Sequence, residues 1–258
     1  MIARREQVLA HVVLGAFAAL ALWPVAKILL LALGDPGNFA TAWEDGHFAT
    51  YLRSSAIVTV SVVAIATFVS ILAGYAFGQM RFRGGTALFY VFLLGLMVPL
   101  EATIVPLYYD LRDVGLTDTY WALILPQVAL STSFGAFWMR QFFADVPDDL
   151  SDAAAVDGAG PLRTLWSVLL PLARPALGTL ALLIFMWTWN EFLLALVLVQ
   201  DEAVRTVPVG LSFFQGQYSA QVPLLAAAAT IVSLPVLVLY ALLHRKFIAG
   251  LAAGSVKA

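Results

Sequence analysis

Six long apolar stretches constrain this chain more than any other feature. They run from Leu9 to Leu33, Ser54 to Gln79, Thr86 to Tyr108, Tyr120 to Phe142, Leu172 to Gln200 and Val222 to Leu243. A hydrocarbon layer about 30 Å thick is crossed by about 20 mostly apolar residues in helical form, and each stretch reaches that length. Hydrophobic residues make up 62% of the 258 and charged residues only 12%, whereas soluble domains carry about 25% charged residues. Lipid-facing surface explains such an excess better than a larger core does. In lipid every backbone N–H and C=O must be satisfied within the segment, so the expected class is an all-α membrane protein with six transmembrane helices. Several stretches contain proline (Pro24, Pro99, Pro106, Pro126, Pro235). Spanning helices tolerate this because neighbouring helices and Ser/Thr groups take up the freed carbonyls. The fifth stretch carries Arg174 and Pro175 near its beginning, which moves its expected start a few residues later. There is no internal repeat, low-complexity tract or linker. The expected organisation is a single membrane domain over residues 1–258, with a polar loop at about 144–171 and a tail at about 244–258.

Orientation follows from the distribution of Lys and Arg rather than from net charge. With the N-terminus inside, the inner segments hold Arg4, Arg5, Arg81, Arg83, Arg140, Arg163, Arg174, Arg245, Lys246 and Lys257. The outer segments hold only Arg53, Arg112 and Arg205, and Lys27 lies within the first stretch. This asymmetry places both ends, and the 144–171 loop, in the cytoplasm. The opening Met1-Ile2-Ala3-Arg4-Arg5 is also how a signal peptide begins. The apolar run that follows is too long for one, however, and no clear small-x-small cleavage site ends it, so a retained first span is expected.

The 144–171 loop has its own local logic. Pro147 suits a helix start, and Asp148, Asp149 and Asp152 complement the positive end of a helix dipole. Ala153-Ala154-Ala155 is strongly helix-forming. Gly158 can take the left-handed conformation that ends a helix, and Pro161 suits the start of a second one, Leu162 to Leu170. Pro171 then interrupts the pattern. Helix, bend, helix is therefore expected. One reading is an amphipathic helix lying on the membrane surface. The acidic side (Asp145, Asp148, Asp149, Asp152, Asp157) would be repelled by an anionic inner leaflet, and the small residues Ala153 to Val156 anchor poorly in lipid. A helix with small side chains that seats in a groove on a partner protein fits these residues better.

Several fragments, taken in order, carry a resemblance. Asp152-Ala-Ala-Ala-Val-Asp157-Gly158-Ala159, followed by Val168-Leu-Leu-Pro171, resembles the "EAA" loop of permease subunits of bacterial ABC importers, with Asp152 where that family usually has Glu. Tyr75-Ala-Phe-Gly-Gln-Met-Arg-Phe-Arg83-Gly84 is similar to the end of its second span. Pro106-Leu-Tyr-Tyr, Gly115-Leu-Thr-Asp-Thr-Tyr120 and Leu123-Ile-Leu-Pro126 resemble its third-to-fourth span region. Arg140-Gln-Phe-Phe143 with Pro147 leads into the loop as in the family. Trp189-Asn190-Glu191-Phe192-Leu193 and the tail from Phe247 to Lys257 resemble its carbohydrate, maltose-type branch. Tyr51-Leu-Arg53-Ser54-Ser55 departs from the usual Asn-Ser, which puts the outer end of the second span in question. The resemblance implies a type I ABC importer permease fold with cytoplasmic coupling helices in a bacterial inner membrane. It implies Asp152, Ala153, Ala154, Asp157 and Gly158 as the residues that couple to an ATPase. It further implies a second permease subunit as heterodimer partner, two ATPase subunits that bind ATP and Mg, and an extracytoplasmic sugar-binding protein. No cofactor is expected on this chain itself.

Charged groups inside the bilayer are functional candidates by default. Trp187, Trp189, Asn190 and Glu191 cluster in the fifth stretch. Flat apolar faces with fixed amide and carboxylate groups suit the two surfaces of a sugar. The alternative is that Asn190 and Glu191 bond across helices while the Trp residues pack. Glu101, between Pro99 and Pro106, satisfies broken backbone or faces the outer side. Lys27 is expected to snorkel to the outer headgroups. The outer loop from Asp201 to Gln221, with Val207-Pro208-Val209-Gly210-Leu211 and Phe213-Phe214-Gln215-Gly216, is either a plain connection or a surface for a delivery protein. Cys is absent, the three His are far apart in sequence, and there is no G-x-x-x-x-G-K-[ST], H-E-x-x-H or G-x-S-x-G. A catalytic centre, an ATP-binding loop and a metal site are therefore not expected, and a net charge of −2 gives no reason to expect nucleic acid. Two rivals remain. One is an ion-coupled secondary transporter or channel using Glu191, which leaves the Asp152 loop unexplained. The other, within the importer family, is a polyol or glycerol phosphate substrate. An intramembrane enzyme is more distant still, because no nucleophile–base pair stands out.

Overall fold

The computed structural model describes residues 4–214 and 221–255. Every regular element among them is helical: α1 (Arg4–Leu33), α2 (Gly37–Asp45), α3 (Phe48–Gln79), α4 (Gly85–Met97), α5 (Leu100–Asp113), α6 (Tyr120–Ala144), α7 (Asp148–Val156), α8 (Pro161–Thr164), a π-helical turn (Leu165–Leu169), α9 (Leu170–Leu172), α10 (Arg174–Trp189), α11 (Leu193–Leu198), α12 (Val207–Ser212) and α13 (Val222–Ser255). Among the described residues four helices are long and apolar enough to cross a bilayer, and up to six spans result if each of two bent pairs is one span.

Breaks in the helices correct two of the expected stretches. The third is not one straight helix, because α4 and α5 meet at 95°. Val98, which precedes Pro99, is extended at φ −77° and ψ 114°, and Pro99 itself is extended as the N-cap of α5. A residue before proline is pushed out of the helical region by the ring, so the chain turns there. The fifth stretch is likewise interrupted. α10 starts at Arg174 and stops at Trp189, and a second helix, α11, resumes only at Leu193. The sixteen residues of α10 rise about 24 Å at 1.5 Å per residue, short of the hydrocarbon thickness, so α11 is needed to complete a crossing. The other prolines behave as expected: Pro24, Pro106, Pro126 and Pro235 lie inside continuous helices. The last helix also runs beyond the expected Leu243, to Ser255.

The chain divides into two compact units, residues 1–49 with 209–234, and residues 50–208 with 235–258. In the first, α1 is almost wholly exposed along its apolar length, with Leu14, Phe17, Leu20 and Leu30 bare. Ala32 and Ala42 are fully buried, and Phe48 stacks on Phe214 at 6.2 Å. Lys27 stays on the exposed face of α1 with its ammonium 5.3 Å from the Trp23 ring centroid. Gln215 and Gly216 of the outer loop and Lys257 of the tail lie outside the described residues.

The second unit holds the main core, centred on α6, half of whose most apolar window is buried. α3 and α6 approach almost backbone to backbone. A Cβ at Gly74 would run into Met139, one at Gly135 into Ser70, and one at Gly78 would lie 2.9 Å from the Phe143 Cβ. Small residues four apart let membrane helices come this close, so dispersion replaces the missing hydrophobic drive. At the other end of α3, Ser54 donates to the Ala203 carbonyl at 3.1 Å, and Ser55 accepts from the Val207 N–H at 3.0 Å. Ser54 and Ser55 thus pin the 199–207 connection, while Arg53 beside them faces outward.

Candidate functional site

The 144–171 loop forms the expected first helix and bend, but the second helix differs from expectation: α8 covers only Pro161–Thr164, Leu165–Leu169 is π-helical, and Pro171 lies inside α9 instead of interrupting the pattern. Pro147 is the N-cap of α7, and Asp148 and Asp149 occupy its first turn, where acids complement the free N–H groups. The C-terminal end closes as a Schellman motif. The Gly158 N–H donates to the Ala155 carbonyl at 3.0 Å and the Ala159 N–H to the Ala154 carbonyl at 2.9 Å. This requires φ +77° at Gly158, a conformation that costs glycine nothing. Pro161 then opens α8, and Thr164 bonds back to the Gly160 carbonyl. A π-helical turn and a bend of 81° separate this segment from α10.

Asp152, Ala153, Asp157 and Gly158 are exposed, whereas Ala154 is buried. Five exposed carboxylates (Asp145, Asp148, Asp149, Asp152, Asp157) surround the loop. The barest apolar side chains among them are Val156 at 88% exposure and Leu162 at 65%. The sequence puts Val156 and Leu162 in the loop's two helices without marking either as a docking residue. Their signal is an apolar residue inside a charged loop, and among the described residues little covers either side chain. The loop is fastened behind: Ser151 donates to the Gln79 side chain at 3.1 Å and Tyr75 donates to the Pro161 carbonyl at 3.2 Å. An exposed Arg81–Asp148 pair at 3.8 Å adds little.

The four candidate path residues separate into different environments. Trp187 and Glu191, four apart, line one recess of ≈ 250 Å³ in the second unit, together with Thr188. α6 contributes Gln127, Ser131 and Phe134 to the same recess. Trp187 meets Phe134 edge to face, with centroids 4.9 Å apart. Trp189 instead is buried, stacks on Phe185 at 5.5 Å and lines a separate apolar recess with Leu52, Thr59 and Val238. Asn190 is exposed and donates to the Met186 carbonyl of its own helix at 2.7 Å. Glu191 Oε1 accepts the Leu194 N–H at 2.9 Å, so the bonds seen for both polar residues among the described residues are local in the chain. Glu191 is the side chain that starts α11. Its carboxylate sits at the positive end of a short helix, at the break in a discontinuous span. Gln127 and Ser131 were missed by sequence reasoning; their spacing of four on one helix was the available signal. Glu101 lies exposed in the first turn of α5, where an acid complements the free N–H groups. Among the described residues no three His, Asp or Glu side chains gather as a metal site.

Residues 66–251 match the family described as "Binding-protein-dependent transport system inner membrane component". The chain is similar to the trehalose/maltose transport system permease protein MalG of Thermococcus litoralis, at 35% identity over 98% of this chain and 99% of the relative. It is also similar to the trehalose transport system permease protein SugB of Mycobacterium tuberculosis, at 33% identity over 85% of this chain and 81% of the relative. Among solved structures, a chain of a bacterial ABC transporter that imports the acidic polysaccharide alginate superposes with a TM-score of 0.79, at 23% identity over 96% of this chain and 99% of that one. This last likeness supports the fold.

Proposed function

Since the chain belongs to the family of binding-protein-dependent inner membrane transport components, we propose that it is the membrane-spanning permease subunit of an ATP-driven importer of a sugar or oligosaccharide. The observation that carries this reading is the Asp152–Gly158 turn. It is an ordered, capped helix with its acids and Val156 facing outward, which has no use in the chain's own core and suits a groove on an ATPase. ATP and Mg belong to that partner. The Lys/Arg asymmetry supports cytoplasmic termini and a cytoplasmic loop. A second permease completes the path, and a sugar-binding protein delivers from the other side.

The Trp187–Glu191 recess supports a neutral sugar. An aromatic face at Trp187 and Phe134 suits C–H surfaces, and Gln127, Ser131 and Glu191 suit hydroxyls. Ligand clefts usually measure about 300–1,000 Å³, so a recess of ≈ 250 Å³ serves as one wall of a path whose other wall is the second permease. A phosphorylated substrate would favour basic groups here, and the recess offers Glu191. Relatives named for trehalose, maltose and diacetylchitobiose transport agree with this substrate class.

The test is co-purification of membrane-extracted protein, wild type beside Gly158→Pro. Proline cannot adopt φ +77° and removes the N–H that bonds Ala155. An ATPase retained by the wild type and lost, together with uptake, in the variant is the expected result. A wild type that purifies alone and moves solute in vesicles without ATP would overturn the reading in favour of an ion-coupled transporter.

A further inference from the structure

We infer that Gln79 is a positioning residue that fastens the α7 loop to α3 and α6, so that displacement of the loop is delivered to these two helices as one body. The inference rests on the proposed docking of an ATPase on that loop and adds the route by which the displacement leaves it. Gln79 is the last residue of α3, and both ends of its amide are engaged. Nε2 donates to the Phe143 carbonyl in the last turn of α6 at 2.7 Å and lies 3.4 Å from the Val146 carbonyl just beyond that helix. Oε1 accepts from Ser151 in the middle of α7 at 3.1 Å. One side chain therefore joins three helices, and it must be an amide, because the joint needs a donor at one end and an acceptor at the other. One helical turn earlier, on the same face, Tyr75 reaches the Pro161 carbonyl at 3.2 Å, so both arms of the loop are held from α3.

Behind this joint α3 and α6 cannot slide apart independently. Gly74 and Gly78 lie against the backbone of residues 139 to 144 with no room for a Cβ, and close-packed interfaces shift as units rather than deforming smoothly. The Arg140 guanidinium lies over the Phe89 ring at 4.1 Å and its Nε donates to the Phe77 carbonyl at 3.4 Å, so α4 is gathered to the same body. On the α10 side the backbone changes course instead, through Gly158, the π-helical turn and the 81° bend. Interruptions of that kind let one segment move against the next. Force on α7 therefore passes into the α3–α6 pair, and α10 with the Trp187–Glu191 recess follows through its contact with α6, where Trp138 donates to the Ala176 carbonyl at 3.1 Å.

The experiment uses the whole transporter in proteoliposomes, with its ATPase, second permease and binding protein, and reads sugar moved per ATP hydrolysed. Gln79→Leu should retain the ATPase on co-purification and lower the transport-to-hydrolysis ratio by about tenfold, the size of one or two net hydrogen bonds. Ser151→Ala deletes one hydroxyl on a surface loop, so it decides the matter if Gln79→Leu fails to fold. It should lower the ratio by a few fold, and Ser151→Thr should restore it. A wild type that retains no ATPase would overturn the docking reading itself. Retention of the ATPase with an unchanged ratio in Ser151→Ala, or in a folded Gln79→Leu, would overturn the fastening alone.

Discussion

Glu191 does two things at once, and substitution can separate them. Its Oε1 caps the Leu194 N–H at the start of α11, and its carboxylate borders the recess lined by Trp187, Gln127 and Ser131. Gln keeps an oxygen for the cap and loses the charge; Ala loses both. Gln at this position should therefore leave folding and ATPase co-purification intact while changing the rate or selectivity of sugar uptake. Ala should in addition cost about 0.5–2 kcal/mol of stability, the usual worth of a helix cap, read as a lower unfolding temperature in detergent. Uptake of every tested sugar at the wild-type rate in Glu191→Gln would make the residue a cap and nothing more. The site was partly legible in the sequence for a physical reason. A carboxylate within an apolar run is costly wherever it points, so Glu191 stands out without any structure. Which neighbours share its space depends on helix phase. Trp187 is four residues away and joins it, whereas Trp189 is two away and faces the packed side of α10 with Phe185.

At the scale of elements, composition identified the apolar stretches and missed their breaks. Hydropathy averaged over some twenty residues does not register a turn of two or three residues at Val98–Pro99 or Asn190–Phe192. Proline alone is no guide either, since four others remain inside continuous helices. The close contact of α3 with α6 is written in the spacing of Gly74 and Gly78, but its partner surface, Met139 to Ala144, lies far along the chain and is supplied only by the fold. The contact is testable. At Gly74 a Cβ would meet not only a side chain but the Met139 carbonyl carbon at 2.8 Å and the Arg140 nitrogen at 2.9 Å, so no rotamer escapes the clash. Gly74→Leu should lose about 1–3 kcal/mol or more, seen by fluorescence-detected size exclusion as a collapse of the folded, detergent-extracted peak. Gly178→Ala, with nothing within 4 Å of the new methyl on α10, should leave that peak unchanged. Equal behaviour of the two variants would mean that α3 and α6 do not approach this closely in the membrane.

For the whole molecule, the sides of the membrane depend on whether the bent α4–α5 pair crosses the bilayer or re-enters. A crossing gives six spans, places Asp113 outside and Asp157 inside, and leaves ten Lys/Arg within against three outside. A re-entrant α4–α5 reverses every later segment. Asp113 then stays inside, Asp157 moves outside, and the count becomes six inside against seven outside. The second distribution erases an asymmetry that membrane insertion normally imposes. It also carries the α7 loop to the face where no ATPase can reach it, so topology and coupling stand or fall together. Because the chain has no Cys, single substitutions Asp113→Cys and Asp157→Cys report directly to a membrane-impermeant maleimide. Intact cells should label position 113 and spare 157, and inside-out vesicles should do the reverse. The opposite pattern, whether from a re-entrant pair or from an inverted chain, would remove the α7 loop as the contact for a cytoplasmic ATPase.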